Sequence, residues 1–175
     1  MPTAFDSSDF SDRADDALDE PTDAFAFLRG EHQAVDGLFD DFAAAVQSGD
    51  DDARRQLAEQ ICAALTAHAS IEEEIFYPAL RSVLDDDSVL NEAAIEHAST
   101  SALIEQIETS DPDHELFNAM VIVLGDYVRL HVRKEEDEIF PLAEDAGIDP
   151  MQLGAAMLQR KRELGGDDPS LGVDC

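Results

Sequence analysis

Histidine and glutamate recur in this sequence at positions where an amphipathic helix keeps its buried side chains, and that constrains the fold more than any other feature of the chain. Phe25, Leu28, His32, Val35, Phe39, Phe42 and Val46 follow one another at alternating steps of three and four residues. That spacing puts all seven on one stripe of a helix running from Asp23 to Ser48-Gly49. A second stripe, through Leu57, Ile61, Ala64, His68, Glu72, Ile75 and Ala79, predicts a helix over residues 52–84. A buried carboxylate or imidazole without a partner is costly, so the fold must bring these groups something to bind. Pro78 falls inside the second pattern and lacks a backbone N–H, which predicts a kink or local break there.

The device is repeated downstream. After Asp85-Asp86-Asp87-Ser88 a third helix is expected to about residue 108, with Leu90, Ala94, His97, Ser101 and Ile104 facing inward. Asp111-Pro112 reads as an N-cap followed by proline at the first helical position, opening a fourth helix. That helix presents Phe117, Met120, Leu124, Tyr127, His131, Glu135 and Leu142 and stops at Gly147. Asp149-Pro150 opens a shorter fifth helix to about Leu164, whose Met151, Met157 and Leu158 can cover one end of the core. No stretch alternates as a strand does. The fold class is therefore all-α, an up-down-up-down antiparallel four-helix bundle with a short fifth helix at the C-terminal end. The expected organisation is an acidic mobile tail over 1–22, the bundle over 23–147, and a short helix with a polar tail over 148–175.

Charge narrows the partners. The 175 residues carry 41 Asp and Glu against 11 Lys and Arg, a formal net charge of -30, which repels phosphate backbones and anionic lipid. Neither nucleic acid nor a membrane is expected as a partner. Hydrophobic residues at 44% still supply one packed core. No apolar run reaches the roughly 18 residues of a membrane span, and the first twenty residues do not read as a secretory signal, so a cytoplasmic protein is expected. The acidic excess, with Arg preferred to Lys, resembles the surfaces of proteins from organisms that accumulate salt. Cys62 reads as core and Cys175 as an exposed thiol; two cysteines this far apart form no thiolate metal site.

The chemistry lies in the repeat. His68-Ala-Ser-Ile-Glu72-Glu-Glu-Ile-Phe-Tyr-Pro78 aligns without a gap on His131-Val-Arg-Lys-Glu135-Glu-Asp-Glu-Ile-Phe-Pro141, and a Glu-His pair precedes each copy, Glu31-His32 and Glu96-His97. Residues four apart on a helix lie about 40° apart around its axis, so each His-x3-Glu points its two ligand groups one way. In an antiparallel bundle the copies can converge on one cavity with His32 and His97, collecting four imidazoles and two carboxylates. Nitrogen and oxygen donors without thiolate suit iron, manganese or zinc, and six exceed the four of a closed zinc site, so two metal ions are expected. Among the neighbours, Glu31, Glu73, Glu96 and Glu136 lie about 100° off the ligand stripe and read as a solvated face. His114 reads as a surface residue. Tyr127, one turn before His131, reads as core, and Phe39, Phe76 and Phe140 read equally as core packing or as the lining of a dry pocket near the site. Arg160-Lys161-Arg162 reads as a basic cluster favouring a helix C-terminus.

The order His, His-x3-Glu, His, His-x3-Glu resembles the hemerythrin-like proteins with an HHE cation-binding domain, over about residues 24–145. The resemblance implies two non-heme iron ions with a solvent-derived oxo or hydroxo bridge. Their ligands would be His32, His68, Glu72, His97, His131 and Glu135, with both glutamates bridging. It implies a small ligand such as O2, NO or peroxide. Oxygen-carrying hemerythrins have a further histidine one turn from the third-helix ligand, where this chain has Ala93 and Ser101, and an aspartate where it has Glu135. The pattern thus admits NO, peroxide and iron handling beside O2. Relatives with it are implicated in iron sensing, iron-sulfur repair and stress responses. No flavin, rubredoxin or thiol motif is present to deliver electrons, so binding or sensing is expected before turnover. The alternatives are a di-iron enzyme reducing peroxide or NO or repairing iron-sulfur clusters, and a zinc- or manganese-binding bundle.

Overall fold

Asp23 opens the first helix, α1 (Ala24–Ser48), by accepting a hydrogen bond from the Ala26 amide at 2.7 Å, and Gly49 ends it in the left-handed conformation, φ +71°. This is a computed structural model, and it describes residues 22–165. The tail expected over 1–22 lies outside the described residues except for Thr22, as does Cys175. Four further helices follow. The second, α2, comprises Asp51–Ile71, a π-helical segment Glu72–Phe76 and Tyr77–Arg81. Next comes α3 (Ser88–Thr109), then α4, which comprises Phe117–Lys134, a π-helical segment Glu135–Ile139 and Phe140–Asp145. The last, α5, is Pro150–Gly165. The described residues are all-helical and contain no strand. None of these helices is long and apolar enough to cross a membrane.

Pro78 does not break α2. In both copies of the repeat the turn starting at the glutamate widens, and the Tyr77 and Phe140 amides bond back five residues to the Glu72 and Glu135 carbonyls. The proline follows directly in each case. One extra residue per turn shifts the buried position from seven to eight residues beyond the glutamate. Leu80 and Ala143 are therefore in the core, whereas Leu142, expected inside, is 42% exposed and Ala79 only partly buried.

Four other expectations are corrected, the first being Met151, expected to cover the core end with Met157 but 47% exposed. The fourth helix starts at Phe117 instead of Pro112, because buried Arg54 of α2 donates to the Pro112 carbonyl at 2.7 Å and to Asn118 Oδ1 at 2.9 Å, pinning the preceding turn. In α3 the buried positions are Leu90, Ala93, His97, Ile104 and Ile107, with Ala94 and Ser101 exposed. In α4 the buried line is Phe117, Val121, Leu124 and His131, and Tyr127 is 50% exposed, since that line is centred on the other side of His131.

Helix α1 packs on α2, α4 and α5, while α3 packs on α2 and α4. The apolar core divides into two clusters. One contains Phe25, Leu28, Ile71, Phe76, Leu80, Phe140 and Met157; the other contains Val35, Phe39, Phe42, Ile61, Leu65 and Leu124. His32 falls between Leu28 and Val35 along α1, and His68 between Leu65 and Ile71 along α2, so a polar layer separates the clusters. Helix α5 crosses the start of α1 so closely that a Cβ on Gly154 would stand 2.1 Å from the Thr22 carbonyl oxygen.

Candidate metal centre

All six side chains expected as ligands are buried: the four imidazoles are 6 to 8% exposed, and Glu72 and Glu135 are fully enclosed at 0%. They fall into two sets whose ligand atoms lie within 4.8 Å of one another, His32, His68, Glu72 and Glu135 in the first, and Glu72, His97 and His131 in the second. Glu72 belongs to both sets.

Several polar atoms inside this layer have no hydrogen-bond partner. His32 Nε2 stands 3.1 Å from Glu135 Oε2, and His68 Nε2 stands 3.0 Å from Glu72 Oε1. None of these four atoms takes part in a hydrogen bond, although all are buried. In the second set His97 Nε2 and His131 Nε2 face each other at 3.1 Å. The outer nitrogens explain why that is unfavourable without a cation. His97 Nδ1 donates to Glu73 Oε1 at 2.9 Å and His131 Nδ1 to Glu96 Oε2 at 2.8 Å. When both rings are neutral, that tautomer leaves a lone pair on each Nε2, and two lone pairs do not bond each other. His32 Nδ1 likewise donates to Glu136 Oε1 at 2.7 Å. Orphaned buried ligand atoms of α1, α2 and α4, with the facing Nε2 atoms of His97 and His131 beside them, fit a metal pair.

Electrostatics shows the same strain. Burial alone would lower the His32 and His97 imidazoles, but the carboxylates around them, Glu135 for His32 and Glu72 for His97, win and push each up to about 9. Burial and the neighbouring Glu72 charge push Glu135 up to about 7, whereas His68, His97 and His131 hold Glu72 well below the usual carboxylate range in spite of its burial. The two carboxylates compete for too little positive charge. A cation between them removes the conflict.

Sequence reasoning missed two sets of residues here. Glu73, Glu96 and Glu136, read as a solvated face, each bind the imidazole of a neighbouring helix. One step off the inner stripe is the seam between helices, where Glu96 and Glu136 are half-buried and Glu73 stays exposed at its rim. Glu31 is the exception and pairs with Lys161 of α5. The second miss is Tyr77. In a regular helix it would point about 140° away from Glu72, but the π turn brings it inward. Its hydroxyl donates to Glu135 Oε1 at 3.1 Å and lies 3.4 Å from both Glu72 Oε2 and His131 Nε2. The signal available was the aromatic-proline pair in both copies. Phe140, its counterpart, stacks on His32 with 6.2 Å between centroids. Phe76 packs with Phe25 and Phe140, and Phe39 lies in the other cluster. Cys62 is buried, and burial pushes its thiol up to about 11. His114 is exposed.

A cavity of about 270 Å³ opens above the four histidines, walled by Val35, Leu65, Ile104 and Val128, with Glu105 and Glu108 also on its lining. The hemerythrin HHE cation-binding domain model matches residues 23–143. The chain belongs to that family. A hemerythrin HHE cation-binding domain-containing protein from Mycobacterium kansasii has the same fold, with a TM-score of 0.70 and 21% identity, covering 83% of this chain and 88% of that one. A DNA nickase from Nostoc sp. is 32% identical over 152 residues, covering 83% of this hemerythrin-like chain. The chain spans 42% of that relative's length.

Proposed function

We propose that this hemerythrin-like chain holds two non-heme iron ions and uses them to bind or sense O2 or NO, or to handle iron, in the cytoplasm. The unsatisfied Nε2 and carboxylate atoms of His32, His68, Glu72 and Glu135, facing one another across three helices, carry the reading. His32, His68, Glu72 and Glu135 would hold one ion, and Glu72, His97 and His131 the other. In this reading α1 to α4 form the up-down-up-down bundle, which the pairwise packing of α1 with α2, α2 with α3, α3 with α4 and α4 with α1 supports. Six nitrogen and oxygen donors, two of them carboxylates and none a thiolate, favour iron over a closed four-coordinate zinc site, with manganese as the nearest rival. Such a pair supplies reversible electron transfer and an open position for a small ligand. The chain's residues do the rest. Glu73, Glu96 and Glu136 hold three imidazoles in one tautomer, the apolar cavity walls admit an uncharged diatomic, and Phe140 and Phe76 shield the layer from water.

One observation favours the enzymatic alternative. The Tyr77 hydroxyl donates to Glu135 Oε1 at 3.1 Å and lies 3.4 Å from Glu72 Oε2, and burial and the two glutamate charges keep it protonated. A hydrogen-bond donor at that point suits the orientation of a bound peroxide or NO. A DNA-cleaving role, the name carried by the Nostoc protein, needs a cationic track for phosphates, and a net charge of -30 opposes one. The surface charge also fits a protein working in concentrated salt.

The test is elemental analysis of the chain reconstituted anaerobically with Fe2+, followed by mixing with O2 or peroxide. About two irons per chain and one stoichiometric, reversible spectral change are expected. Continued consumption of oxidant moves the assignment to the enzyme, and a folded chain that retains no iron ends the reading.

A further inference from the structure

Three of the four imidazoles are oriented by a carboxylate from a neighbouring helix, and the fourth is not. His68 Nδ1 is buried without a hydrogen-bond partner. The repeat identifies the missing group. Glu96, one residue before His97, takes His131 on the following helix at 2.8 Å. The residue at the same place in the first copy is Glu31, one before His32, and the histidine on its following helix is His68. Glu31 and His68 line the same cavity.

Glu31 is engaged elsewhere. Its Oε1 is ion-paired with Lys161 Nζ of α5, which also lies 5.8 Å from the centroid of the Phe27 ring. The adjacent Arg160 binds both oxygens of Glu74, in the π-helical segment of α2, at 2.8 and 3.1 Å. The second copy shows that a lysine and a histidine can share such a carboxylate: Lys134 Nζ takes Glu96 Oε1 at 3.0 Å while His131 takes Oε2. There, lysine and histidine lie one turn apart on one helix and draw the carboxylate the same way. In the first copy the lysine belongs to a different element from the histidine.

We propose that Glu31 is the positioning carboxylate of His68 and that α5, through Lys161, withholds it, so that the C-terminal helix sets metal affinity on the His32–His68 side. The inference rests on the metal-pair reading above. An outer carboxylate fixes the ring and raises its ligand strength, typically worth about 10- to 100-fold in metal affinity. The restraint is light, because the Lys161 side chain is 42% exposed and such pairs are weak. Loss of that one ion pair is therefore enough to release Glu31.

The experiment compares Zn2+ binding, by chelator competition, and imidazole NMR of the zinc-loaded protein in wild type, Lys161→Met and the double variant Lys161→Met/Glu31→Gln. Methionine keeps an apolar stem over Phe27, and Lys161→Gln repeats the measurement with a polar one. One of the two zinc steps should tighten by up to about fivefold in both single variants, with a slowly exchanging His68 Nδ1–H signal that the double variant loses. Unchanged zinc affinity in the single variants, or tightening that survives Glu31→Gln, overturns the inference. A wild-type chain that binds no zinc or iron at all overturns the metal reading instead.

Discussion

On the His32–His68 side the ring centroids stand 5.0 Å apart at 68°, and on the His97–His131 side 4.7 Å apart at 62°. The repeat reproduces its imidazole pairs closely. What surrounds each pair differs. Phe140 stacks on His32 in one half, and at the matching place in the other Tyr77 brings a hydroxyl to the carboxylates. Glu96 serves His131, whereas Glu31 is turned to α5, and α5 packs mainly on α1 and α2, the helices of the first copy. A doubled motif supplies the donor set, and single residues outside its His-x3-Glu core decide how each half behaves.

The sharpest way to break this comparison is through the two glutamates. Glu72 belongs to both ligand sets and Glu135 to one. Glu72→Ala should cost both ions, lowering affinity by more than about 100-fold, and Glu135→Ala mainly the ion of the first set. Elemental analysis after dialysis distinguishes them; equal losses in the two variants would mean that the centre is symmetric after all.

The metal-free protein should separate the halves by pH. His68 is raised above its ordinary value because Glu72 outweighs its burial, and His131 is lowered because burial outweighs Glu72 and Glu96. Ring NMR should therefore show His68 titrating above about 6.5 and His131 below it. His32 and His97, both near 9, contribute stability that is fully present below about pH 6.5 and lost as pH rises through 9. Glu135, raised to about 7, acts in the same direction over the range from its ordinary value up to 7, while His131 opposes it. The melting temperature of the metal-free chain should fall between pH 6.5 and 9, and added metal should reverse the slope, since it competes with the same protons. A melting temperature that rises over that interval without metal contradicts this balance.

The smallest effect expected is from Tyr77→Phe, which makes the halves alike. It leaves Glu135 Oε1 without its donor and should lower the stability of the metal-free chain by about 1–3 kcal/mol, read by urea denaturation. No change would mean that the hydroxyl bond contributes nothing.

The donor set was legible in the sequence because it follows helical periodicity: His32 with Leu28 and Val35, and His68 with Glu72, share one stripe at steps of three and four. Glu73, Glu96 and Glu136 were not legible as partners of imidazoles, because which helix lies across each seam is a tertiary fact. Tyr77 and Leu80 escaped for a different reason. The pattern was counted at 3.6 residues per turn, and the turn at Glu72 is wider. The start of the fourth helix escaped because Arg54, 58 residues upstream of Pro112, holds that turn by its carbonyl.

The widened turns also decide where this chain tolerates changes of length. Each inserts one residue between a glutamate and its proline, so adding or removing a residue from 73 to 77, or from 136 to 140, swings the rest of that rod by about 100°. Leu80 or Ala143 would then leave the core together with the aromatic that precedes the proline. The stretches 82–87 and 110–116 join separate rods and carry no such phase. Natural variants of this domain should vary freely in the connections and keep the count from histidine to proline at ten.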